Sequence, residues 1–170
     1  MIALFTDFGL HGPYTGQMQA VLHQMAPGIP IIDLFADAPV GNPKASAYLL
    51  AAYAAWFPVR TVFLCVVDPG VGGTRPSIFL EADGRWYIGP GNGLFELIQR
   101  RARETRSWDI DWKPKHLSAA FTGATSSPRW QPCWRAVIPP AGHVTMAEIA
   151  GQTGRMTSAR SSTSITSAMP

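Results

Sequence analysis

Along the first 121 positions, short unbroken apolar runs alternate with stretches in which apolar residues recur at helical spacing. The run IALFT, Ile2 to Thr6, ends in Asp7 and opens into FGLHGPYTG, which predicts a buried strand emptying into a loop. Tyr14, Met18, Val21, Leu22 and Met25 return every three or four positions, so a helix follows until Pro27 and Gly28 stop it. Ile31 to Phe35 predicts a second strand. Asn42 and Pro43 form a cap and first-turn pair, opening an Ala- and Leu-rich helix that ends by Phe57, ahead of Pro58. Thr61 to Val67 is continuously apolar, as in the middle of a parallel sheet covered on both faces. Ile78 to Ala82 and Arg85 to Ile88, joined by Asp83-Gly84, predict a hairpin. A helix from Gly93 to about Glu104, capped by Asn92, and a short strand around Trp108 to Ile110 complete the pattern. The order β-α-β-α-β-β-β-α-β predicts a three-layer α/β/α domain built on a mixed, largely parallel sheet.

Composition agrees with a folded domain and then divides the chain. Of 170 residues 46% are hydrophobic, with 8 Phe and 6 Trp, which excludes global disorder. The longest predominantly apolar stretch, Ala45 to Phe57, is too short to span a bilayer. Met1 leads straight into a strand with no basic leader, which predicts a cytoplasmic address. Cys65 and Cys133 have no metal or disulfide spacing, and Cys65, inside VFLCVV, reads as a buried thiol. His11, His23, His116 and His143 show no ligand spacing, so no metal is expected. Residues 1 to 121 hold 10 Lys+Arg and 10 Asp+Glu; the net charge of +3 therefore lies in residues 122 to 170, where four Arg face Glu148 alone. That segment also carries 14 Ser+Thr in 49 residues, against 9 in the 121 before it. The chain thus reads as two unlike segments meeting near Phe121. A basic tail binding nucleic acid or lipid is one reading of the second, but four dispersed Arg and no Lys argue against either partner.

Ligands of such sheets gather at the carboxyl ends of the strands, where three loops carry notable chemistry. They are Asp7-Phe8-Gly9, the segment Asp68 to Arg75 (DPGVGGTR), and Gly89 to Gly93 (GPGNG). Each also has a purely structural reading: Asp7 as a turn cap, Asp68 and Arg75 as an ion pair closing a loop, Gly89 to Gly93 as a turn with a helix cap. Neither glycine loop continues into Gly-Lys-Ser/Thr, and no Gly-x-Gly-x-x-Gly opens a helix after a strand, so a phosphate cradle is disfavoured.

In combination, TDFG, DPGVGGTRP and GPGNGLF, with PIIDL, WFP and TVFLCVVDPGVG between them, resemble the S-adenosylmethionine hydroxide adenosyltransferase family, relatives of the SAM-dependent fluorinases and chlorinases. The resemblance covers about residues 2 to 121. It implies hydrolysis of S-adenosyl-L-methionine to adenosine and L-methionine, with the sulfonium compound as substrate and no cofactor. It also implies an N-terminal SAM-binding α/β domain, a C-terminal β-barrel domain that residues 122 to 170 do not spell, and a homotrimer with sites between neighbouring subunits. By the same resemblance Asp7 accepts hydrogen bonds from the ribose hydroxyls, a task for an acceptor-only carboxylate. Asp68 and Arg75 match two members of an Asp-Arg-His set that holds the attacking water. A carboxylate paired with a guanidinium is a weak base, so orienting the water suits Asp68 better than deprotonating it. Halide-using relatives carry an aromatic hydroxyl residue where Asp68 stands, and a fixed anion there disfavours fluoride or chloride. Asn92 is expected to make a polar contact near the substrate, although the family usually has Asp where Gly91 stands. A non-catalytic adenosine- or SAM-binding remnant and a SAM-dependent halogenase are the alternatives.

The departure from the family begins at residue 122. Where relatives continue with a His-Gly-Arg-Asp type segment, this chain has Thr122-Gly123-Ala124-Thr125, and the imidazole is missing. If one C is restored after the Phe121 codon, TGATSSPRWQPCWR at 122 to 135 can be read as HGRDLFAPVAAMLA. In the same frame SARSSTSITSAMP at 158 to 170 can give GAIVYIDHFGNA, which resembles the FGN motif of the family's second domain. Residues 122 to 170 are therefore expected to be an out-of-frame, poorly ordered tail, and the chain as written to be inactive.

Overall fold

The computed structural model describes residues 1 to 70 and 75 to 110, with the backbone of residues 156 to 160. His116, Cys133, His143, the boundary near Phe121 and the rest of the tail lie outside the described residues. The elements are β1 (Ile2–Thr6), α1 (Tyr14–Met25), β2 (Ile31–Phe35), α2 (Pro43–Tyr53) with a 3-10 turn (Ala54–Trp56), and β3 (Val62–Val66). They continue with β4 (Ser77–Ala82), β5 (Arg85–Pro90), α3 (Glu96–Arg101), β6 (Thr105–Ile110) and β7 (Met156–Arg160). Through β6 this is the order that the apolar pattern predicts.

One sheet runs β2-β1-β3-β5-β4-β6-β7. The β2-β1-β3-β5 half is parallel, and β4, β6 and β7 join by antiparallel ladders. Parallel pairing thus stops at β5, because a two-residue turn reverses the chain between β4 and β5. Asp83 and Gly84 both take positive φ there (47° and 72°), the conformation that matches strand twist in a tight hairpin.

Side-chain alternation builds the three layers. On one face Ala3, Phe5, Phe63, Cys65, Leu80 and Tyr87 pack against Leu50 and Ala54 and against Ile98 of α3. On the other, Ile2, Leu4, Leu64, Phe79 and Ile88 pack against Met18 and Leu22 of α1. All five residues of β1 are buried, as a central strand covered on both sides requires. Among the described residues no helix is long and apolar enough to cross a membrane.

Local signals fix the helix ends. Asn42 accepts a hydrogen bond from the Ala45 N–H (3.0 Å) with Pro43 in the first turn, as its sequence predicts. The far end is held from outside: Arg85 donates from Nε to the Phe57 carbonyl (2.8 Å) and from Nη2 to that of Ala55 (3.2 Å). Helix α3 is shorter than its sequence suggests. Asp83 Oδ1 accepts from the N–H groups of Arg103 (2.9 Å) and Glu104 (3.2 Å), which draws those residues to the hairpin turn instead of a further helical turn.

Candidate active site

Four parallel strands deliver their carboxyl ends to one side of the sheet. Starting from β1, the chain passes by α1 to β2 on one flank and then by α2 back across to β3 on the other. The connections diverge between β1 and β3, the switch point at which open α/β sheets bind ligands. Thr6 pairs with Val66 in that ladder, and the Asp7 N–H donates to the Val66 carbonyl (3.2 Å). Asp7 and Asp68, one step past β1 and two past β3, therefore emerge at the switch point from adjacent strands.

Asp68 is the better buried member of an ion pair: its side chain is 17% exposed and that of Arg75 37%. Arg75 Nη1 donates to Asp68 Oδ1 at 2.6 Å, a short charge-assisted bond, and the Gly70 N–H donates to the same oxygen at 2.9 Å. The guanidinium lies over Gly70, where a Cβ would stand 3.2 Å from Nη1. Both bonds fall on Oδ1, so the carboxylate is held along that edge. Asp7, half-buried, is held through Oδ2 by the N–H of Gly41 at 2.9 Å.

Asn92 is engaged with backbone at both ends of its amide. Its Nδ2 donates to the Val67 carbonyl (2.7 Å) and its Oδ1 accepts from the Leu94 N–H (3.2 Å). The amide thus ties the loop after β5 to the end of β3, and both of its ends hold backbone. The structure brings Asp68 and Arg75 into contact, sets Asp7 on the neighbouring strand, and makes Asn92 a brace beside them. Sequence reasoning passed over the loop from Ala36 to Asn42. That loop is stitched to β1 and the residues after it by Ala38 N–H to the Thr6 carbonyl (3.0 Å) and Gly9 N–H to the Ala36 carbonyl (2.7 Å). Its one local cue is Gly41 directly ahead of the Asn42-Pro43 cap.

A cavity of about 50 Å³ lies between Glu81, Asp83, Gly84, Glu104, Thr105 and Arg106. It sits at the hairpin turn, where β5 begins, and so at the opposite end of the parallel strands. Among the described residues no three His, Cys, Asp or Glu side chains are grouped to hold a metal ion.

Comparison with known proteins converges on one family. Residues 2–126 match the SAM hydroxide adenosyltransferase N-terminal domain. An (R)-S-adenosyl-L-methionine hydrolase of Thermus thermophilus is 42% identical over 97 residues, 56% of this chain and 37% of that protein. One of Salinispora arenicola is 37% identical over 126 residues, 72% of this chain and 48% of that protein. This chain therefore spans less than half the length of either hydrolase. A crystal structure of an uncharacterized conserved protein from Thermotoga maritima superposes with a TM-score of 0.67 at 27% identity, covering 82% of this chain and 55% of that one. The match over most of the chain, and the fold it shares, place this protein in the SAM hydroxide adenosyltransferase family, by way of that family's N-terminal domain.

Proposed function

We propose that residues 1 to 121 form the SAM-binding domain of an enzyme that hydrolyses S-adenosyl-L-methionine to adenosine and L-methionine. The observation that carries this reading is the Asp68–Arg75 pair at the end of β3, one strand from Asp7, at the switch point of the sheet. In the reaction a water oxygen bonds to the ribose C5′ as the C5′–S bond breaks. The sulfonium sulfur leaves with the bonding pair as the neutral thioether of methionine, and the proton of the attacking water passes to a base or to solvent. The leaving group is already good, so the protein's task is to hold water in line and limit bulk solvent. Asp68, with Oδ1 clamped by Arg75 and Gly70, orients that water. Arg75 fixes the carboxylate. Asp7 accepts from the ribose hydroxyls. Asn92 ties the loop after β5 to the end of β3, beside the place where it is expected to make a polar contact with the substrate. The fixed negative charge of Asp68 favours water over halide as nucleophile.

The intact enzyme is proposed to be a cytoplasmic homotrimer that needs no cofactor, and residues 122 to 170 to be the product of a shifted frame. That shift removes the imidazole that would take the proton, so the chain as written turns over negligibly. The test compares this chain, a frame-restored chain and its Asp68→Ala variant, each incubated with S-adenosylmethionine and chromatographed for adenosine. Adenosine from the restored chain alone is the expected result. No product from the restored chain would favour a binding remnant, and a halogenated nucleoside in halide buffer would mark a halogenase.

A further inference from the structure

We infer that Gly41, through its main-chain N–H, is a positioning residue that decides which edge of the Asp7 carboxylate meets the ligand. The inference rests on the reading of Asp7 as the ribose acceptor and goes beyond it, because it assigns specificity to a main-chain group of the loop between β2 and α2. The Gly41 N–H donates to Asp7 Oδ2 at 2.9 Å, across 34 residues of sequence. With Oδ2 engaged, Oδ1 is the oxygen presented to a hydroxyl pair. A carboxylate without that clamp rotates about its Cβ–Cγ bond and offers either oxygen in a spread of directions.

The backbone at Gly41 explains why glycine stands there. Its φ is +58°, in the left-handed region that side chains other than Asn and Asp rarely adopt. Space is not the constraint among the described residues: there a Cβ at Gly41 would meet the Cβ of Pro69, at an ordinary 3.6 Å. The same distance shows that Gly41 faces Pro69, in the loop carrying Asp68. Replacing it by alanine strains the left-handed conformation, and relaxation to negative φ turns the N–H away from Asp7. Asparagine, which tolerates that conformation, keeps the N–H in place.

The test measures dissociation constants of this chain for adenosine and for 2′,3′-dideoxyadenosine, which lacks the hydroxyls that Asp7 would read. Discrimination by the unaltered chain is expected to be tenfold or more, on the order of one or two hydrogen bonds to a charged acceptor. Gly41→Ala is expected to bring the ratio close to one, while G41N keeps most of it and both variants melt within a few degrees of the parent. An unaltered chain that fails to discriminate overturns the ribose reading itself. Discrimination that survives Gly41→Ala, or falls equally in the alanine and asparagine variants, overturns the Gly41 assignment alone. Amide exchange gives a second readout that needs no ligand: the Gly41 N–H should exchange several-fold faster in Asp7→Ala. An unchanged exchange rate overturns the clamp.

Discussion

Gly89, in β5, has no room for a side chain. A Cβ there would lie 2.7 Å from the Cys65 carbonyl oxygen and 3.0 Å from the Phe95 ring. Strand β3, strand β5 and the start of α3 meet at that point because the residue is glycine. Gly89→Ala is therefore expected to cost about 1–3 kcal/mol, as overpacking of a close-packed core does. Urea unfolding monitored by tryptophan fluorescence reads that loss as a lowered midpoint, and an unchanged midpoint would mean that the strands part without penalty. The sequence marked Gly89 only as part of a turn, since close approach of another backbone leaves no trace in local pattern. Asp7, Asp68 and Arg75 were singled out for the opposite reason: each is a charge in a loop at the carboxyl end of a predicted strand, where such sheets gather ligands. The Asp68–Arg75 pair was among the sequence's readings, but the main-chain partners of the two carboxylates were not legible. Gly41 and Gly70 contribute N–H groups, which every residue but proline owns, so only the folded backbone distinguishes them.

At the level of the elements, the segments most clearly patterned in the sequence were the ones found with least adjustment. Strands β1 and β2 and the helix α1 start and stop where apolar spacing and the Pro27-Gly28 break indicate. For α2 the governing signal is the Asn42 cap, with its bond to Ala45 N–H. Asn42→Ala is expected to destabilise the domain by about 1 kcal/mol, with Asn42→Asp near neutral, since aspartate accepts the same bond. Because Gly41 and its N–H lie one residue upstream, the same alanine variant is expected to weaken adenosine binding more than its effect on stability explains. Calorimetric melting and a binding isotherm on the same samples separate the two effects, and a loss confined to stability would show that the cap and the clamp are independent. Helix α3 was overestimated at both ends: it begins at Glu96, with Phe95 and not Asn92 at the cap position, and its terminator is a non-local one. Nothing near Glu104 announces that Asp83, some twenty residues earlier, will take the N–H groups of Arg103 and Glu104.

For the molecule as a whole, topology was the least legible layer, because strand neighbours such as β3 and β5 are set by which apolar faces can be covered together and not by any local run. Its consequences for stability can still be argued from buried groups. The layer between the sheet and helices α2 and α3 encloses Cys65, 1% exposed, and Tyr87, 3% exposed. Burial pushes both the thiol and the phenol well above their ordinary values of 9.0 and 10.0; for Tyr87 the nearby Arg85 opposes the shift without cancelling it. In the unfolded chain both groups ionise near those ordinary values, while the folded domain keeps their protons. Between the two the folded state binds more protons than the unfolded state, so stability falls as pH rises. Below about pH 8 neither group ionises in either state, and their contribution is constant. The urea midpoint is accordingly expected to stay level with respect to these groups up to about pH 8.5 and to decline steadily from about pH 9. Cys65→Ala should start from a lower midpoint, because the core loses the sulfur, yet decline less between pH 9 and 10, where the thiol is the more ionised of the two groups in the unfolded chain. Parallel declines in the two proteins over that interval would mean that the thiol ionises in place, and that the layer beneath α2 admits a charge that its packing should refuse.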